Sequence, residues 1–364
     1  MNTSTNAMTF NDDRPHPART APHATHKFKL LLKREFWEHK GGFFWAPLWA
    51  GAISLLLTLM AAIVAEVAAR RAIAAGKFDG DSLSANGVNI NGLDLSALTS
   101  HMDAEAMRNL SNGIDISMFM SSLWPLIAFT FVVFFYCLGS LYDERKDRSV
   151  LFWKSLPVSD RDTVLSKAAS ALLVAPVIAI GTALASMFGF LLMISAFVLL
   201  HHGNPIELIW GPGNPLKLAA SMLATIPVYA LWALPTVGWL LLCSAWAKSK
   251  PFLWAIMIPV FAGIFISWFD VMNLFNLEST WFWKNIVARG LLSAVPGSWF
   301  DAATFNNAHI TSSEAARKFG GLHQALSLQA TYSVLLTKQL WIGAAAGAAM
   351  IFGAIRLRRW RDEG

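Results

Sequence analysis

Charge is what this sequence has least of. Only 14% of its 364 residues are Asp, Glu, Lys or Arg, against about a quarter in a soluble domain, while 55% are hydrophobic. That deficit points away from a solvated globular domain and towards a membrane protein. Cysteine is nearly missing. Cys137 and Cys243 fall inside apolar runs with no C-x-x-C pair, so free buried thiols are expected, not a disulfide or a Cys-held metal. No Gly-x-x-x-x-Gly-Lys-Ser/Thr run occurs. Gly76-Lys77 is followed by Phe78, so the chain lacks a P-loop with which to grip ATP phosphates. A nucleophile elbow, a zincin His pair and Cys/His metal spacing are also missing, leaving no catalytic residue and no metal ligand to nominate. His201-His202 is the closest thing to a ligand pair, but adjacent residues on a helix point in different directions.

Two further absences bear on mechanism. Charged residues are scarce in the long apolar runs, with Glu66 and Asp270 towards the ends of theirs and Lys338 towards the start of the last. Proton- and sodium-coupled carriers usually keep carboxylates near the midplane, so ion coupling is disfavoured, although carbonyls at broken helices can also hold sodium. Residues 1–25 are rich in Asn, Thr, Pro and His and have no apolar core. They read as a disordered tail without the h-region of a cleavable signal, which leaves insertion to the first span. The net charge of +6 is spread along the chain with no dense basic domain, so no nucleic-acid partner is expected.

What remains is apolar and periodic. Residues 26–43 place Phe28, Leu31, Leu32, Phe36 and Trp37 at helical spacing beside Lys27, Lys29, Lys33, Arg34 and Lys40. This predicts an amphipathic helix in the headgroup layer, with Lys33, Arg34, Phe36 and Trp37 meeting membrane lipid and Gly41-Gly42 as a flexible bend. The alternative is a solvated juxtamembrane helix. Six runs are long enough to span a bilayer: Phe44–Val67, Met118–Ser140, Ala168–Leu200, Ala220–Trp246, Phe252–Leu274 and Leu335–Ile355. The fold class is therefore an all-α polytopic membrane protein, with a six-span domain over 44–355. Prolines at 176, 227, 235 and 259 fit kinks that serve either gating or packing. Gly343 and Gly347 form a small face for close helix approach, within the subunit or across a dimer seam.

Orientation follows from the bases. Residues 1–43, the loops 141–167 and 247–251 and the tail 356–364 together hold nineteen of the 29 Lys and Arg. The positive-inside rule places these segments, and both termini, in the cytoplasm. The outer segments are then 68–117, 201–219 and 275–334. The last carries aromatic clusters (Trp281, Phe282, Trp283, Trp299, Phe300) that read as short helices resting in the outer interface. Thr311-Ser312-Ser313-Glu314 matches a capping box and marks a helix start there.

The loop Leu141–Lys167, LYDERKDRSVLFWKSLPVSDRDTVLSK, carries six bases against five acids with Phe152, Trp153, Leu156 and Pro157 at its centre. A lipid-binding polybasic segment would be lopsided in charge. A mixed-sign segment with an aromatic middle resembles a surface that docks on another protein, although Phe152 and Trp153 could instead dip into lipid.

Taken with the amphipathic helix LLKREFWEHKGGFFWAPL and the six spans, this loop resembles the permease subunit of ABC-2-type transporters, over most of the chain. In that family the loop opens with an acidic-basic turn, continues as a helix, and closes at a Leu-Pro-Val/Ile-Ser-like corner before a Lys. Here those positions are Glu144-Arg145, Leu151, Leu156-Pro157-Val158-Ser159 and Lys167. Arg148-Ser149 stands where the family often has Gly-Thr, a local departure at the turn. Only the loop is specific among these motifs.

The resemblance implies two paired permease subunits, identical or related, in a bacterial inner membrane. Separate cytoplasmic ABC ATPase subunits would bind beneath them and carry the ATP and Mg, leaving no cofactor in this chain. It implies that Phe152 and Trp153 anchor the loop in the ATPase, with Glu144, Arg145 and Arg148 as orienting charges and Leu156, Pro157 and Asp160 in the same coupling segment. The implied activity is ATP-driven export. An ion-coupled secondary carrier and a non-transporting sensor or anchor are the competing classes.

Overall fold

The computed structural model describes residues 24–75, 104–148, 158–272, 278–299 and 328–360. Among the described residues the regular structure is helical and no strand occurs. Six helices are long and apolar enough to cross a membrane: Gly41–Ala72, Met107–Lys146, Asp160–Leu200, Pro215–Trp232, Pro251–Val271 and Lys338–Trp360. The protein is a multi-pass, all-α membrane protein.

The third span sits at the centre. Ala171, Ala175, Ala179 and Ala183, one turn apart, are all fully buried. Small side chains at that spacing let the second span and the first close on it. Gly51 does the same from the first span: a Cβ there would lie 3.2 Å from Pro125 and 3.3 Å from Ser186. Ser186 also donates to the Ser121 carbonyl at 2.9 Å, tying the third span to the second. The first and fifth spans are peripheral. Trp49, Ile53, Leu56 and Met60 on one, and Phe261, Phe265 and Trp268 on the other, leave long apolar faces exposed, as a lipid environment permits. Cys137 and Cys243 are free and buried.

Proline stands at two departures from helical regularity, while Pro125, Pro227 and Pro259 lie inside continuous helices. The third span opens into a wide π turn over Ser170–Val174, just before Pro176. Pro176 has no N–H for the Leu172 carbonyl and would clash with it in a regular helix. The fourth span is broken: Pro215–Trp232 ends at Ala233, and Leu234–Trp246 restarts with Pro235 in its first turn. The Pro215–Trp232 half packs near Ile114 and Met118, and the Leu234–Trp246 half runs on to meet Leu141.

Several boundaries differ from the sequence reading. The helix holding the second span starts at Ala104, so part of segment 68–117 is helical. The third-span helix begins at Asp160, inside the loop 141–167, because Ser159 caps it by accepting from the Asp162 amide at 3.0 Å. The sixth runs to Trp360, so Arg356, Arg358 and Arg359 belong to its last turns and not to a free tail. The N-terminal helix spans Ala24–Glu38, and Gly41–Trp45 is a π turn leading into the first span where a flexible bend was expected. Gly42 is needed there for approach, since a Cβ would come within 3.1 Å of Val132. The capping box at 311–314 lies outside the described residues.

Between the fifth and sixth spans, helices cover Ser279–Phe282, Trp283–Ala288 and Arg289–Leu292, followed by turns to Trp299. Short helices are present as expected, with Trp281 exposed, but the turns that follow them pack inward. Ser293, Ala294 and Trp299 are buried against the fourth span. Tyr229 donates to the Ala294 carbonyl at 3.2 Å, Trp232 to Ser298 at 3.0 Å, and the Ser293 amide to Thr236 at 3.0 Å. Arg289 stacks 3.6 Å from the Trp232 ring centroid and donates to the Gln339 carbonyl. Non-helical backbone near the break at Ala233 thus has side-chain partners, as irregular chain at membrane depth requires.

Candidate functional site

At the end of the bundle that carries residues 141–148, charged side chains from four segments meet in the interior. The N-terminal helix supplies Glu35, which lies one turn beyond the buried Leu31 and is itself fully buried. The third span supplies Lys167, whose side chain is only 2% exposed. Its Nζ lies 3.0 Å and 3.2 Å from the two Glu35 carboxylate oxygens and 2.9 Å from Glu144 Oε1. The second span adds Tyr136, which donates to Glu35 Oε2 at 2.9 Å.

The sixth span completes the cluster. Ile351, Ala354 and Arg358 share its buried face, so an apolar stripe ends in a guanidinium. Arg358 donates from NH1 to Glu144 Oε2 at 2.6 Å and from Nε to Asp160 Oδ1 at 3.1 Å. One planar group therefore holds both ends of the 141–167 segment, a geometry suited to arginine and not to lysine. Arg34 lies 2.6 Å from Glu35 and 3.5 Å from Glu38, and within 3.9 Å of Glu144.

Burial pushes the Glu35 carboxyl up, and the nearby Lys167 ammonium and Arg34 more than offset it, so Glu35 is held below the ordinary carboxylate value. Four carboxylates, those of Glu35, Glu38, Glu144 and Asp160, lie against the three cations Arg34, Lys167 and Arg358. Glu35, Glu38 and His39 do bring ligand atoms within 4.8 Å of one another. Glu35 already receives Lys167, Arg34 and Tyr136, so a cation there would have to displace an ammonium that the fold itself supplies.

A second joint lies beside the first. Arg145 donates to the carbonyls of Ser244 at 2.6 Å and Ala247 at 2.9 Å, at the C-terminal end of the fourth span. Cationic groups suit that helix end, where carbonyls lack helical partners. The Ser244 hydroxyl in turn accepts from the amides of Leu141 and Tyr142 at 3.1 Å and 3.0 Å.

No protein-family model, curated protein or solved structure matches this chain. Function is therefore argued from the site.

The residues expected to dock outward divide. Glu144, Arg145 and Asp160 turn inward and join the protein's own elements, because each lies within reach of a buried opposite charge or an open helix end. Arg34 does the same, where an outward contact with lipid headgroups was expected. Arg148 is exposed, in the left-handed conformation with φ 54°. Phe152, Trp153, Leu156 and Pro157 lie outside the described residues. On the N-terminal helix Lys33 is exposed and Phe36 is half-buried against the core. Trp37 is exposed beneath Lys40, whose Nζ is 5.0 Å from the ring centroid. Gly343 and Gly347 face the fourth span: a Cβ on Gly347 would meet the Leu234 carbonyl, and one on Gly343 the Arg289 guanidinium.

Sequence reasoning passed over Glu35, Tyr136, Ser244 and Arg358. For two of these the signal was present. Glu35 is an acid on the apolar side of a basic helix, and Arg358 continues the buried stripe of the sixth span.

Proposed function

We propose that this chain is the membrane-spanning subunit of an ATP-driven ABC transporter of the ABC-2 type, an exporter driven through the 141–167 segment. Arg358 carries the reading: it binds Glu144 near the start of the segment and Asp160 near its end. A push on the residues between them would reach the sixth span through Arg358, and the third and N-terminal helices through Lys167 and Glu35. Arg145 would carry it to the fourth span. Such a lever suits a chain whose sequence has no nucleotide site of its own.

In this reading both termini and the segment are cytoplasmic, and the membrane is a bacterial inner membrane. The N-terminal helix lies on the inner leaflet. Two permease subunits pair, and cytoplasmic ABC ATPase subunits, holding ATP and Mg, receive Phe152 and Trp153 in a surface groove. Arg148, exposed at the turn, remains an orienting charge for that contact. Glu144, Arg145 and Asp160 transmit the motion and do not touch the ATPase.

The test is a double substitution, Phe152→Ala with Trp153→Ala, in membranes that hold the co-purified ATPase. Loss of stimulated ATP turnover with unchanged insertion is the expected result, and normal coupling would remove the segment from the mechanism. Transport by the purified chain alone in liposomes, driven only by a proton or sodium gradient, would favour a secondary carrier instead.

A further inference from the structure

The second, third and fourth spans and the turn Ser293–Trp299 enclose a half-open cavity of about 180 Å³. Phe119, Leu126 and Phe129 line it from the second span, Ala179 from the third, Met222 from the fourth and Pro296 from the turn. No charged side chain lines it among the described residues. Three hydroxyls reach the wall, and each gives its proton to a main-chain carbonyl: Thr130 to Leu126, Thr225 to Met222 and Tyr229 to Ala294.

We infer that this cavity binds a single hydrocarbon chain, the acyl tail of a lipid from the surrounding bilayer. The wall chemistry selects a tail over a phosphate headgroup, because a charged group moved there would lose its water and find the three hydroxyl protons already given and only the Trp299 indole besides. The size fits as well. An apolar cavity of roughly 150 Å³ holds a benzene-sized guest, so this one takes a ring or a run of several methylenes and not a whole amphiphile. Access comes from the bilayer. Ile127 on the rim is 44% exposed and Phe131, one turn on, is 60% exposed, both on the apolar surface of the second span. The ionic cluster, by contrast, lies at one end of the bundle. Nothing in this inference depends on an ATPase driving the chain.

The experiment uses the full chain in phosphatidylcholine nanodiscs doped with a phosphatidylcholine bearing a diazirine midway along one acyl tail. After illumination, peptide mass spectrometry should find label on 119–130 and 222–229 about tenfold above the exposed first-span face, Trp49–Ile63, which reports ordinary surrounding lipid. Filling the cavity with Ala179→Phe should remove that excess and leave first-span labelling unchanged. Thr225→Phe, at a half-buried position, replaces it if Ala179→Phe does not elute as the wild type does. Even labelling of the two regions, or an excess that survives a filled cavity, overturns the inference. The same tail on phosphatidylglycerol should label equally, and a strong headgroup preference would also overturn it.

Discussion

The Glu35 carboxylate shows what a buried charge costs when its partner goes. It is fully buried, and Lys167 opposite is nearly so. Removing Glu35 leaves the buried Lys167 ammonium to Glu144 alone, so the loss should reach at most about 3–5 kcal/mol, that of a buried pair broken outright. Glu35→Gln should therefore lower thermal stability in detergent sharply. Glu38→Gln, at a carboxylate 45% exposed, should change it by about 1 kcal/mol or less. The pH dependence has a definite sign. Glu35 is depressed in the folded protein below its ordinary 4.5, so its stabilisation is complete above that value and lost as pH falls through the folded value. Wild type should lose more stability than Glu35→Gln on acidification from about pH 5 to 3, measured by unfolding at each pH. A parallel decline would mean that Glu35 contributes no acid sensitivity. Arg358→Lys makes a complementary case. An ammonium is a point charge and cannot reproduce the fork between Glu144 and Asp160, so stability should fall in the lysine variant too. If Arg358→Lys melts with wild type, the planar bridge is dispensable.

Helix pairs obey a different rule, set by the space between backbones. The contact between the Leu234–Trp246 half of the fourth span and the sixth rests on glycine. Gly347 lies against Leu234, with Pro235 N 2.8 Å from where a Cβ would stand, and Gly238 faces the Gly347 backbone in return. Gly343 instead faces side-chain atoms, the end of Arg289 and Pro235 Cγ, and not backbone. Gly347→Ala should thus cost about 3 kcal/mol and Gly343→Ala about 1 kcal/mol, read as the shift in thermal midpoint of each variant. Equal losses would mean that the Leu234 backbone yields as easily as a side chain. Elements of this kind were legible unevenly. Hydropathy located all six apolar helices, since burial in lipid needs only length and composition. It could not find their ends, because Ser159 capping and the continuation of the sixth span past Ile355 depend on local hydrogen bonds and on partners distant in sequence. The break at Ala233 was half visible through Pro235. The inward packing of Ser293–Trp299 was not visible at all, since those aromatics and turns read equally well as a surface segment. The site was harder still. Glu144, Arg145 and Asp160 were singled out by their place in a charged loop, yet pairing across a bundle leaves no trace in one sequence, so an outward role was assigned to side chains that face inward.

At the scale of the molecule, the ionic cluster gathers the N-terminal helix and the second, third and sixth spans at one end, with Arg145 joining the fourth. Among the described residues the opposite end has a smaller joint, where His201 Nε2 lies 3.1 Å from Glu66 on the first span. The proposed lever asks for that asymmetry, a base tied across several elements. Orientation then tests the proposal, because an ATPase could reach the base only from the cytoplasm. The native thiols Cys137 and Cys243 are buried, so single introduced cysteines report cleanly. Arg161→Cys and His202→Cys place exposed thiols at the two ends. With a membrane-impermeant maleimide, His202→Cys should label in intact cells, and Arg161→Cys only after the membrane is opened. The basic residues predict that order, since nineteen of the 29 fall in the segments read as cytoplasmic. The reverse pattern would put Glu144, Asp160 and Arg358 outside the cell, beyond the reach of any ATP-driven partner, and the reading of the 141–167 segment as a lever would fail with it.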